Sequence, residues 1–261
     1  MIVRAERDQF ILVEQHHHAL QAGVMAQQWK EFPYGKQFRS LVGLATSLHD
    51  IGWQPLDHTP MWNMPHKRPY SFVDYPLAPK LDAYKAGVDF VESLDPLAAL
   101  ICSMHYLSFF SSPSNGDDQI TEEMFVKHEQ SRQKRLSNFL KEVKPTLLEV
   151  RVNALEYLQF FDNLSLYLCL NQVGASKDEE HPWFRDGLTL RTTKGEQQQF
   201  NLFWTGNNVI IDPFPFIYPF FIFLQQKILP NTTPDPTRFS RQYQQAPFET
   251  MVVKIRPRKI S

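Results

Sequence analysis

Two histidines and two aspartates fall where helical periodicity directs them inward, and together they could hold a divalent cation. At ~3.6 residues per turn, His18 shares a stripe with Ala22, Met25, Ala26 and Trp29. His49 closes a second stripe that runs through Phe38, Val42 and Ala45, and Asp50 follows it at the helix end. Asp162 has Leu155, Leu158, Leu166 and Cys169 one and two turns away on its own helix. An ionised carboxylate turned into a core must be protonated, paired or bound to a metal, because leaving it uncompensated costs several kcal/mol. One cation among neutral imidazoles and carboxylates relieves all four residues at once. The nitrogen and oxygen donors suit Mn, Fe, Ni, Co or Zn better than Ca, with Mg as a further candidate.

Each residue also has a plainer reading. A single inward histidine is more often a hydrogen-bonded core residue than a ligand, and a buried aspartate commonly pairs with an arginine or caps a backbone group. No single salt bridge, however, satisfies two histidines and two aspartates on three apolar faces. In the run His16, His17, His18 the ligand is ambiguous. His18 is preferred because only its stripe is fully apolar, whereas His17 falls beside Gln21, Val24 and Gln28.

The elements that must position these groups are mostly helical. Residues 1–4 and 10–14 flank a polar turn and predict a β-hairpin. Helical periodicity covers 16–30 and 36–49, the latter stopping at Gly52, then 81–92, 96–109, 122–143 and 146–171. Between Trp53 and Pro79, six prolines predict an extended loop, studded with Trp53, Trp62, Tyr70, Phe72 and Tyr75, that lines or covers a cleft. A second loop spans 111–119, with Thr121 as N-cap of the helix after it. Beyond Gly174 the pattern changes to strands at 189–192, 200–204, 209–212 and 251–255, with a turn at Thr205-Gly206-Asn207-Asn208.

The chain has 261 residues, of which 43% are hydrophobic and 13% aromatic, enough for a sizeable core and against disorder. A net charge of -1 leaves no electrostatic footprint for a nucleic-acid duplex. The short basic run 254–259 reads as a solvated tail. Cys102 and Cys169 lie among apolar residues and read as buried thiols of a reducing compartment. No signal-peptide pattern opens the chain, and the apolar stretch 214–224 carries Pro215 and Pro219 and is shorter than the ~20 residues of a membrane helix. The expectation is a soluble cytoplasmic protein, with no membrane partner.

A histidine on one helix, a His-Asp doublet at the end of the next and a lone aspartate on a late helix resemble the HD superfamily of metal-dependent phosphohydrolases. The segment His49-Asp50-Ile51-Gly52 is especially similar. More of the chain, in the segments 15–23, 49–53, 68–72, 103–105 and 212–216, resembles an uncharacterised bacterial family of unknown function, which implies no activity. The first resemblance implies His18, His49, Asp50 and Asp162 as metal ligands, and a second metal or substrate contact at His105, joined by His58 or His66. It also implies an acid shortly after the doublet, where this chain has Trp53. Asp57 and Glu129 are the substitutes considered for general acid/base work, although an ion pair with Arg132 is the plainer role for Glu129.

The implied fold is mainly α: an HD-type helical bundle with an N-terminal hairpin and a small C-terminal β subdomain, divided at 1–174 and 175–261. The implied function is divalent-metal-dependent hydrolysis of a small phosphorylated molecule, a nucleotide being the first choice. Lys67 and Arg68 would meet the phosphate, and Trp53, Trp62, Tyr70 and Phe72 would stack on a base. The alternatives are a non-catalytic sensing or interaction module and a dinuclear iron oxygenase. The aromatic run 214–223 is either a homodimer surface or packed on the core.

Overall fold

A computed structural model describes residues 1–110, 118–191, 193, 195–231 and 236–258. The chain opens with the hairpin β1 (Ile2–Ala5) and β2 (Gln9–Val13), followed by α1 (Gln15–Gln28) and α2 (Gly35–Leu48). A 3-10 turn at Ile51–Trp53 leads into the short α3 (Gln54–His58) and a ribbon of β3 (Trp62–Asn63) and β4 (Arg68–Pro69). Then come α4 (Leu77–Leu94), α5 (Pro96–Leu107), α6 (Gln119–Val143), α7 (Pro145–Glu149) and α8 (Arg151–Leu170). The C-terminal part is β5 (Leu188–Arg191), β6 (Gln197–Thr205), β7 (Asn208–Asp212), β8 (Phe220–Pro230), α9 (Pro236–Gln245) and β9 (Glu249–Pro257).

The mainly α expectation is overturned by the sheet. The N-terminal hairpin and the C-terminal strands form one seven-stranded sheet in the order β1-β2-β8-β9-β7-β6-β5, and about 22% of the chain is strand. Among the described residues of this sheet only β7 and β9 pair in parallel; the other neighbours are antiparallel. The joint between the chain's two ends is the β2 and β8 ladder, from Gln9 opposite Pro230 to Leu12 opposite Lys227. Alternate residues of the strands, Phe200, Leu202, Val209, Ile211, Ile222, Leu224, Val253 and Ile255, are all buried. They enter the same core as Met25, Val42 and Phe161 of the helices. The sheet is therefore a structural layer against α1 and α8 rather than a small appended subdomain.

Local differences have local causes. Pro55 sits in the first turn of α3, where a missing N–H costs nothing, so part of the expected extended loop is helical. Helix α4 begins at Leu77, earlier than its apolar stripe suggests, because Pro79 also lies in its first turn. The predicted 146–171 helix is two, broken at Val150. Asp118, not Thr121, precedes α6, and the preceding loop positions 111–117, like Thr192 and Lys259 of the strand and tail readings, lie outside the described residues. Both β8 and α9 escaped the sequence reading. No helix among the described residues is long and apolar enough to cross a membrane, and both cysteines are buried and free.

Candidate metal centre

Helices α1, α2, α5 and α8 bring the predicted side chains together. His18 lies in the first turns of α1 and His49 caps the end of α2. Asp162 projects from the middle of α8 and His105 from the last turn of α5. All are buried, with Asp50 and Asp162 the most exposed at 5% and 8%. One donor atom from each of His18, His49 and Asp162 lies within 4.8 Å of the others, so this trio could hold a metal ion. Asp50 flanks the trio through contacts with both histidines: its Oδ2 is 3.0 Å from His18 Nε2 and 3.5 Å from His49 Nε2. Asp162 Oδ1 is likewise 3.5 Å from His49 Nε2.

The hydrogen-bonding state of the donors fits a cation, and their spacing, up to 4.8 Å within the trio, would close slightly around one. Ligand atoms about 2.1 Å from a common ion stand roughly 3.0–3.4 Å apart. The last carbonyls of a helix lack intrahelical partners, and His49 uses one of them: its Nδ1–H donates to the Thr46 carbonyl at 2.7 Å. That fixes the ring with its Nε2 facing the two carboxylates. His49 Nε2 is buried and makes no hydrogen bond, an orphaned ring nitrogen of the kind a metal satisfies.

The electrostatics favour positive charge at the same point. Burial alone would lower the pKa of His49, but Asp50 and Asp162 outweigh it and hold the imidazole up at about 9. Burial works against ionisation of Asp50 too, yet His49 and His18 hold it well below the usual carboxylate range. Asp162 is lowered in the same way, its burial outweighed by His49 and His105. His105 goes in the opposite direction, pushed down to about 4 by burial that Asp162 only partly offsets. Two ionised carboxylates thus surround His49 Nε2 in a buried site, where their field favours a cation, either a proton on the ring or a metal in its place.

Around these groups lies a frame that sequence reading did not identify. Gln15 Nε2 donates to Asp50 Oδ2 at 3.1 Å, and the Tyr106 hydroxyl reaches the His49 carbonyl and, at 3.2 Å, Asp50 Oδ1. Ser165 Oγ is 2.7 Å from His18 Nδ1. Tyr106 also stacks on Tyr84, with ring centroids 3.9 Å apart. A buried hydroxyl one turn beyond Asp162 was the available signal for Ser165.

The remaining candidates are placed elsewhere or differently. His105 joins the cluster, its Nε2 3.6 Å from Asp162 Oδ2, while His58 and His66 are exposed. Asp57 is buried in an ion pair with the Met1 amino group and accepts the Gln15 backbone N–H at 2.6 Å. Glu129 is buried against Ser103 and Arg132. Trp53 is only 1% exposed, edge-on to Tyr75 and Tyr84, so it offers no face for stacking. Arg68 is held by Asp74 at 2.9 Å, Lys67 is exposed, and Tyr70 is half-buried against Tyr75. In the aromatic run, Phe216 and Ile222 enter the core whereas Tyr218, Phe221 and Phe223 are exposed.

Residues 1–231 match the family described as protein of unknown function (DUF3891), and the chain belongs to that family. No curated protein and no solved structure gives a significant match.

Proposed function

We propose that the chain binds a divalent metal through His18, His49 and Asp162, with Asp50 as a fourth ligand, and uses it to hydrolyse a small phosphorylated molecule. The observation that carries this reading is His49 Nε2, a buried ring nitrogen with no hydrogen bond, 3.5 Å from each of two carboxylates. The order of ligands along the chain resembles that of HD phosphohydrolases, and this resemblance supports the choice of reaction. A divalent ion bound there would polarise a phosphoryl oxygen and lower the pKa of a coordinated water toward neutrality.

The chain's own residues supply the rest. Thr46 and Ser165 orient the imidazoles, Gln15 and Tyr106 hold the Asp50 carboxylate, and the Tyr84 and Tyr106 rings keep water from one wall of the site. With Trp53 in the core, no acid follows the doublet. Burial pushes the pKa of His105 down to about 4 and keeps its ring neutral, so His105 stands at the cluster as an acceptor rather than a proton donor. Its contact with Asp162 Oδ2 also favours a second reading, in which a second cation lies between them.

The test is elemental analysis of the purified chain, followed by a panel of nucleoside monophosphates and triphosphates with Mn, Fe, Co, Ni, Zn or Mg added. We expect about one metal per chain and turnover that Asp50→Ala abolishes. Metal binding without turnover would overturn the hydrolytic reading, and no metal binding by the wild type would overturn both.

A further inference from the structure

We infer that Ser165 is a positioning residue that decides which nitrogen of His18 faces the metal, an inference that rests on the metal-binding reading above. Ser165 is fully buried on α8. Its Oγ–H donates to the Asp162 carbonyl at 2.8 Å, three residues back along the helix. A hydroxyl has one proton. With that proton committed, Oγ can only accept from His18 Nδ1, 2.7 Å away.

Nδ1 must then carry hydrogen, and a neutral ring presents its lone pair at Nε2. That lone pair points at Asp50 Oδ2, 3.0 Å away, so two acceptors face each other across a gap that a cation would bridge. His49 is arranged the same way by a different group, since the Thr46 carbonyl can accept but never donate. The two histidines, on α1 and α2, are therefore both set to offer Nε2. Ser165 adds a link that Thr46 does not: one hydroxyl ties the backbone of Asp162 to the ring of His18, so two ligands from different helices are registered against each other. Outer partners of this kind typically change metal affinity by about 10–100-fold when removed.

The test uses the full chain with histidine labelled in 15N, zinc alone as the probe, and Ser165→Ala beside Ser165→Thr. In zinc-loaded wild type, long-range proton–nitrogen correlation should show His18 with hydrogen on Nδ1 and zinc on Nε2. Ser165→Ala should lose that fixed pattern and bind zinc about 10–100-fold more weakly, and Ser165→Thr, which keeps the hydroxyl, should recover both. Thermal unfolding of the metal-free variants separates this from general misfolding. Zinc on Nδ1 of His18, or wild-type affinity and spectrum in Ser165→Ala, overturns the inference. If the wild type takes up no zinc, the metal reading fails by itself. The role of Ser165 is then read from the metal-free spectrum, where a bare Nδ1 on His18 overturns it and a protonated Nδ1 that Ser165→Ala releases upholds it.

Discussion

Gly52 and Gly87 meet backbone to backbone, so close that a methyl group on Gly52 would lie 3.0 Å from the Gly87 Cα and 2.0 Å from the Ala83 carbonyl oxygen. This contact seats α4 on the turn that carries the His49-Asp50 doublet. Both obstacles are backbone, which cannot swing aside as a side chain would. Gly52→Ala should therefore cost at least ~1–3 kcal/mol, the usual scale for overpacking. Because the strain falls two residues from Asp50, zinc affinity should drop as well. Urea unfolding and zinc titration measure the two effects, and an unchanged unfolding midpoint would show that α4 does not depend on this approach.

Glu129 illustrates a buried charge with a structural task. Its carboxylate accepts from Ser103 Oγ at 2.6 Å and pairs with Arg132 Nε at 3.1 Å, while Arg132 also reaches Asp89 and Glu92. Removing Glu129 leaves Arg132 with Asp89 and Glu92 but strips the buried Ser103 hydroxyl of its acceptor, at a cost of about 1–3 kcal/mol. Glu129→Ala should lose stability on that scale in urea yet keep its zinc affinity once folded. Wild-type stability together with lost turnover would instead indicate a role in proton transfer.

Asp95 gives the fold a pH dependence away from the candidate metal centre. It caps α5 by accepting the Leu97 and Ala98 N–H groups at 2.8 and 3.0 Å, and Lys144 Nζ approaches it at 2.8 Å. Burial opposes its ionisation, but Lys144 and the two amides outweigh that and lower its pKa. A carboxyl lowered in the folded state contributes fully above its ordinary value, near 3.8, and loses that contribution as pH falls through the folded value. Asp95→Ala should cost ~0.5–2 kcal/mol at neutral pH, and the gap from wild type should close on acidification. Unfolding midpoints taken from pH 7 downward check this; a gap that widens in acid reverses the sign and refutes it.

The cluster of His18, His49 and Asp162 was legible because each member interrupts an apolar helical stripe, a signal local to its own helix. His18, His49 and Asp162 needed no long-range information to be identified as inward-facing. Their frame was not legible in that way. Ser165 and Tyr106 look like ordinary buried polar residues until α5 and α8 are placed beside α1 and α2. The sheet was missed for a related reason: β8 is flanked by Pro219 and Pro230 and rich in aromatics, and its partners are β2, more than 200 residues earlier in the chain, and β9, beyond an inserted helix. Trp53 was read as a ligand face because it opens a segment rich in prolines and aromatics, whereas Tyr75 and Tyr84 enclose it.

Ligand linkage tests the centre without reference to any reaction. A metal that binds only the folded chain stabilises it by about 2.7 kcal/mol at one hundred times its Kd, which for a chain of this size corresponds to roughly 5–10 °C in Tm. Zinc or manganese should produce such a rise in the wild type, and a chelator should reverse it. His49→Ala removes the acceptor that both carboxylates face, and Asp162→Ala removes the one carboxylate that contacts both His49 and His105. Both variants should lose most of the rise. His58→Ala and His66→Ala, which alter exposed imidazoles of the aromatic segment, should keep it. A rise of equal size in His49→Ala would mean that the ion binds elsewhere, and the cluster would then be a charge network of the metal-free fold, held together by a protonated His49 between Asp50 and Asp162.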